Sequence, residues 1–234
     1  MNRTANVVRM QLVNRQTFVG LPLLILFAAF AITLAIYGII IFSVSDPIEE
    51  PMYSGGTQAP LWYFAIVGIQ ALNLTFPFSQ AMSVTRREFF SGTVLTAAGT
   101  SLVLAVTYLV GGLIERATDG WGFNGYFFYL PWIWEHGALS AALFYFAAAM
   151  LAFLIGFLGA TIYKRFGLLW LLVVTIGLVI VLVAAAFLIS VFGSWVGVGE
   201  AFANANALYV ALIGLGVAVV LAGAGYLALR RAIP

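Results

Sequence analysis

Six long apolar runs, none with an ionisable residue in its interior, constrain this chain more than anything else in its sequence. They extend approximately over Phe18 to Val44, Leu61 to Met82, Thr93 to Ile114, Gly137 to Tyr163, Gly167 to Phe192 and Ala207 to Leu229. Each reaches the ~20 residues a helix needs to cross ~30 Å of hydrocarbon. Only 8% of the residues are charged, where a soluble domain carries about a quarter. The expected fold is therefore an all-α integral membrane protein with six transmembrane helices. Residues 1–234 form one transmembrane domain, because no soluble domain fits between the runs. The first run is longer than the apolar region of a secretory signal and lacks a small-residue cleavage site, so it reads as a retained span.

The charges set the orientation. Lys and Arg accumulate in cytoplasmic loops. Arg3, Arg9 and Arg15, the Arg86/Arg87 turn, the Lys164/Arg165 turn and Arg230/Arg231 all fall on one side, and only Arg116 lies opposite. Asp46, Glu49, Glu50, Glu115, Asp119, Glu135 and Glu200 fall on the other face. Both termini are expected in the cytoplasm. The net charge of +2 is too small to point to nucleic acid. With no cysteine there is neither a disulfide framework nor a thiolate metal site.

The segments outside the runs differ in character. At the start of the chain Val7, Met10 and Phe18 share a helical face while Val8 and Leu12 fall elsewhere, and residues 1–17 read as an interfacial segment. Ser45 to Pro60 holds Pro47, Pro51, Gly55, Gly56 and Pro60, an irregular polar connector. Ile114 to His136 gathers Trp121, Phe123, Tyr126, Phe127, Phe128, Tyr129, Trp132 and Trp134, and is expected to lie in the headgroup region as an aromatic anchor, with a lid or substrate-contact role as the alternative. The glycine-rich connector from Val191 to Asn206 could dip into the membrane only where protein or water covers its backbone.

Reactive constellations are scarce. His136, beside Glu135, has Asp119 and Ser140 nearby in sequence, but triads are recognised by geometry, and a solvated loop histidine is the simpler reading. Gly193-Ser194-Trp195-Val196-Gly197 lacks the spacing of a nucleophile elbow. Ion-coupled carriers usually hold ionisable residues at membrane depth, and the runs hold none. Lys164 follows Tyr163 rather than the glycine of a P-loop, so the chain has no such ATP site. Transport against a gradient would need energy from another chain.

Polarity without charge remains. Gln70, Asn73 and Thr75 lie in the second run, with Pro77 removing the N–H that would bond the Asn73 carbonyl. These residues could line a substrate path or bond neighbouring helices. Small residues recur at Ala148, Ala152, Gly156 and Ala160, and at Gly214, Ala218 and Ala222, stripes that permit close helix contact without naming the partner.

Between the second and third runs, Thr85 followed by Glu88 forms a capping box, and Val84 with Phe89 a hydrophobic staple, so a short helix is expected to start at Thr85. Arg86 and Arg87 on its first turn oppose the helix dipole and should meet something negative, either lipid phosphate or an acidic groove on a partner. Phe76-Pro77-Phe78, Ser83, Val84-Thr85-Arg86-Arg87, Glu88, Phe89-Phe90 and Gly92-Thr93, set in six spans with both termini inside, resemble the short permease subunits of bacterial type-two-class ATP-binding-cassette (ABC) exporters.

That resemblance implies the type-two ABC exporter permease architecture in a bacterial plasma membrane. Residues 83–92 would be the cytoplasmic coupling turn. In it Thr85, Arg86, Arg87, Glu88, Phe89 and Phe90 would form the coupling helix, the arginines pairing with acidic ATPase residues and Phe89 or Phe90 filling an apolar pocket. Residues 1–17 would be an interface helix and Val191 to Asn206 short re-entrant helices. The implied partners are two ABC ATPase subunits, which hold ATP and Mg, and a second permease, identical or different. This chain itself would hold no cofactor and catalyse no reaction. A path of aromatics, aliphatics and amides favours an amphipathic cargo such as a drug, lipid or peptide antibiotic. Two alternatives stay open: a scaffold or sensor whose arginine turn binds anionic lipid or a regulator, and an ion-coupled carrier using only amides and carbonyls.

Overall fold

The structure is a computed structural model describing residues 3–44, 50–193 and 195–230. Asp46, Pro47, Glu49, Ser194 and Arg231, invoked above, lie outside the described residues. The chain begins with α1 (Arg3–Val13), followed by a wide turn at Gln16–Gly20 that leads directly into α2 (Leu21–Ser43). A two-residue strand β1 (Met52–Tyr53) and a 3-10 turn at Gly56–Gln58 precede α3 (Ala59–Ala81). Then come α4 (Arg86–Ala117), β2 (Gly125–Tyr126), α5 (Pro131–Trp134), α6 (Ala138–Phe166), α7 (Leu168–Val191), α8 (Trp195–Asn204) and α9 (Ala207–Leu229).

Six of these helices, α2, α3, α4, α6, α7 and α9, are long and apolar enough to cross a membrane, so the chain is an all-α, multi-pass membrane protein. The third span departs most from expectation. No separate short helix starts at Thr85: α4 is a single helix of 32 residues whose first turn carries Arg86, Arg87 and Glu88. Nothing in Phe89-Phe90-Ser91-Gly92-Thr93 breaks a helix once the box at Thr85 has nucleated it.

The helix α6 is central, packed against α9, α3 and α4. The small-residue stripes of α6 and α9 both pack within the bundle. A Cβ at Gly156 would overlap the Ala65 backbone of α3, and one at Gly68 would overlap the Phe153 carbonyl of α6, so paired glycines set this crossing. On the other side Gly214 of α9 sits over Ala147 and Leu151 of α6. By contrast α7 buries no residue within the chain, which fits a helix hydrophobic all round with hydrocarbon as its solvent.

The two ends of the bundle are distinct. At one end Arg86 Nη1 donates to the Arg230 carbonyl across 2.5 Å, and α1 lies against α4 and α3, so the described chain ends gather beside the Thr85 turn. At the other end β1 and β2 pair in parallel, Met52 opposite Gly125 and Tyr53 opposite Tyr126, while Trp132 Nε1 donates to the Ala205 carbonyl at 2.9 Å. From Met52 onward the connector before α3 is thus half of an ordered cap, not merely irregular.

Candidate functional site

At the arginine end, the turn from α3 into α4 is fixed bond by bond. Ser83 takes a left-handed conformation, φ 57°. Its N–H donates to the Gln80 carbonyl at 3.0 Å and the Val84 N–H to the Ser79 carbonyl at 3.1 Å, the two bonds of a Schellman motif with serine in the usual glycine position. Gln80 Nε2 donates to the Val84 carbonyl at 3.1 Å. The capping box follows at once. The Glu88 N–H donates to Thr85 Oγ1 at 3.2 Å, and Glu88 Oε2 accepts from the Thr85 N–H at 2.9 Å and from its hydroxyl at 2.7 Å. Two consecutive motifs leave this turn little freedom.

The expected coupling residues divide in two. Arg87 and Thr85 are exposed. Arg86 is half-buried, satisfying the end of α9. Phe89 is fully buried with its ring centroid 5.1 Å from that of Phe76, and Phe90 packs against Phe157 and Tyr226. Neither phenylalanine is presented to a partner. Among the apolar side chains flanking this turn, Phe78 and Met82 are exposed.

The first helix explains Gly92 and Thr93. Val7 is buried on the α4 surface, where a Cβ at Gly92 would come within 2.6 Å of the valine Cβ. Gln11, fully buried, donates Nε2 to Thr93 Oγ1 at 2.8 Å and lies 3.3 Å from Thr75 Oγ1. A buried amide is costly unless bonded, so this pair of contacts fixes α1 in register on both helices. Thr75, one of the three path candidates, is thereby committed to packing. Gln70 is half-buried and Asn73 exposed on the outer side of α3, which continues through Pro77 to Ala81. The structure does not bring the three together.

The opposite end holds a feature that sequence reasoning placed elsewhere. Glu115 is completely buried in the last turns of α4, not on an outer surface. Its Oε1 accepts from Trp121 Nε1 at 2.9 Å and the Phe127 N–H at 3.0 Å, and its Oε2 from the N–H groups of Phe128 at 2.6 Å and Tyr129 at 2.8 Å. A carboxylate is acceptor-only, and here three consecutive backbone amides and an indole surround it, a nest closed on an internal anion.

The aromatic segment folds inward around that nest. Phe127, Phe128, Ile133 and Trp134 are buried in the core. Trp134 Nε1 donates to the Phe128 carbonyl at 3.2 Å, and the Tyr108 hydroxyl of α4 donates to the Thr57 carbonyl while its ring stacks on Tyr145 at 3.9 Å. The expected headgroup belt is therefore corrected: only part of the segment, Trp132 foremost, faces outward. The reason is that Glu115 needs donors, and its own neighbours in sequence supply them. Burial, followed by the charge of Asp119, raises the Tyr126 phenol above its ordinary pKa.

No triad forms. His136 is exposed, 4.0 Å from Glu135 and 3.3 Å from the Asn206 amide, and no hydrogen bond joins it to Asp119 or Ser140 among the described residues. Nor do three His, Asp or Glu side chains converge on a metal position among them.

Sequence reasoning missed Gln11 and Glu115. The available signals were a glutamine one helical turn after Val7, and an acid placed just after Gly111-Gly112 and before a row of aromatics. Comparisons with protein families, with curated proteins and with solved structures find no match to this chain.

Proposed function

We infer that this chain is the permease subunit of an ATP-driven exporter of the type-two ABC class, pairing with a second permease above two ATPase subunits. ATP and Mg would be held by the ATPases. The observation that carries the reading is the doubly locked turn from Ser79 to Glu88. It presents Arg87 and Met82 at the end where both described chain termini gather, in a chain without a nucleotide motif of its own.

A coupling surface must be stiff, or the partner's movement is absorbed locally. The Schellman motif and capping box supply that stiffness. In this reading Arg87 meets an acidic ATPase side chain, Met82 fills the apolar pocket, and Arg86 braces the turn against α9. Arginine and buried apolar anchors are favoured at interface hot spots. The exposed face of α3, with Trp62, Ile66, Ile69 and Asn73, lines the path between the two permeases, since an amide facing plain hydrocarbon is costly. The cargo is amphipathic, moving out of the cytoplasm or the inner leaflet of a bacterial plasma membrane.

The test is Arg87→Glu in the reconstituted complex. ATP-dependent export should fall at least tenfold, or the ATPase should dissociate, while the chain still inserts. Arg86→Glu should in addition lower thermal stability. Normal coupling in Arg87→Glu, or export driven by an ion gradient without ATP, would overturn the reading.

A further inference from the structure

The elbow between α1 and α2 carries an open groove of about 840 Å³. Arg9, Arg15 and Gln16 form its polar rim, and Leu12, Val13 and Val19 its apolar floor. Both guanidinium groups are exposed, and neither has a hydrogen bond or ion pair among the described residues. Two unpaired arginines on one groove call for an anion, and guanidinium is the side chain best matched to a phosphate.

The apolar part identifies which phosphate. Val13 is 84% exposed at the lip of the groove, an unfavourable placement for valine in water. Beyond the elbow the outward side of α2 continues the same surface through Leu24 and Phe27, both more than half exposed. A soluble phosphate would leave this apolar strip uncovered. A glycerophospholipid fills both parts, its headgroup between the arginines and its acyl chains along α2. A zwitterionic headgroup would bring its own ammonium group to the arginines, so the fit is to a lipid of net negative charge. Basic pockets beside transmembrane helices are used this way on cytoplasmic surfaces.

The elbow is also built rather than incidental. Gln11 ties α1 to Thr93, Val7 is seated on Gly92, and the wide turn at Gln16–Gly20 swings the chain into α2 within a few residues. Arg9 and Arg15, six positions apart, are thereby held on the same opening. We propose that this groove binds one anionic glycerophospholipid, with its phosphate between Arg9 and Arg15 and its acyl chains along the Leu24 and Phe27 side of α2. The site stands whether or not the chain is an exporter subunit.

The test uses the purified full-length chain in detergent, offered phosphatidylglycerol and phosphatidylcholine together and read by native mass spectrometry. The wild-type chain should retain one phosphatidylglycerol in preference to phosphatidylcholine. Arg9→Gln with Arg15→Gln should weaken that retention by roughly thirty-fold, at about tenfold per 1.4 kcal/mol and ~1 kcal/mol per basic residue. Arg87→Gln should leave it unchanged. Undiminished retention in the double variant, an equal loss in Arg87→Gln, or saturable binding of inorganic phosphate with no preference between the lipids would each overturn the proposal. A photoreactive phosphatidylglycerol on the wild-type chain gives a reading independent of any variant's folding: label should enter the stretch from Arg9 to Phe27, and label confined to other segments refutes the site.

Discussion

Glu115 is where a single side chain decides most. Four donors converge on its two oxygens with no cation beside them among the described residues. Glu115→Gln keeps the size but turns one acceptor into a donor, facing N–H groups that have nowhere else to go. Each buried donor left unmet costs about 1–3 kcal/mol. The variant should therefore unfold at clearly lower temperature in detergent, with the fluorescence of Trp121 and Trp134 shifting first as the cap loosens. An unchanged melting curve would mean the nest is decoration. Gln11 shows the same economy at the other end, since one amide reaches two helices at once. Neither residue was legible as such, because what makes each important is a set of partners 6 to 82 positions away that only the folded chain brings into contact.

The helices were more legible than their contacts. Length and hydropathy are local properties, so all six spans could be read directly, and so could the start of α4 from Thr85 and Glu88. What could not be read was that α4 continues unbroken from that box, because a charged first turn looks like a boundary when only hydropathy is counted. The stripes of small residues were equally visible, but which helix each stripe touches is a tertiary fact. The crossing of α3 and α6 now gives it a test. Gly156→Ala sets a methyl group into the Ala65 backbone, and overpacking of that kind costs about 1–3 kcal/mol. Gly159→Ala, three residues on and facing open space, should leave stability unchanged or slightly raised. Equal melting temperatures for the two variants would contradict the close crossing.

Across the whole molecule, burial is uneven: α6 is enclosed on three sides while α7 is bare. The two ends differ in kind as well, one closed by a tight turn with free cations and the other by a cap folded around a hidden acid. A bilayer explains the bare helix, and the inferred second permease accounts for the amide on the outer face of α3. The single helix α4 joins the two ends, carrying the locked turn at its start and Glu115 near its finish, with no proline between. At 1.5 Å per residue, 32 residues make a rod of roughly 48 Å. Such a rod does not store an axial push; it delivers it. Under the proposed function, spin labels at Ser91 and Val110 should keep one separation through the partner's ATPase cycle, while the separation of Val110 from Tyr209 on α9 changes. On that same proposal, a force applied at Thr85 travels along this rod to Glu115, whose four accepted hydrogen bonds fasten the opposite end.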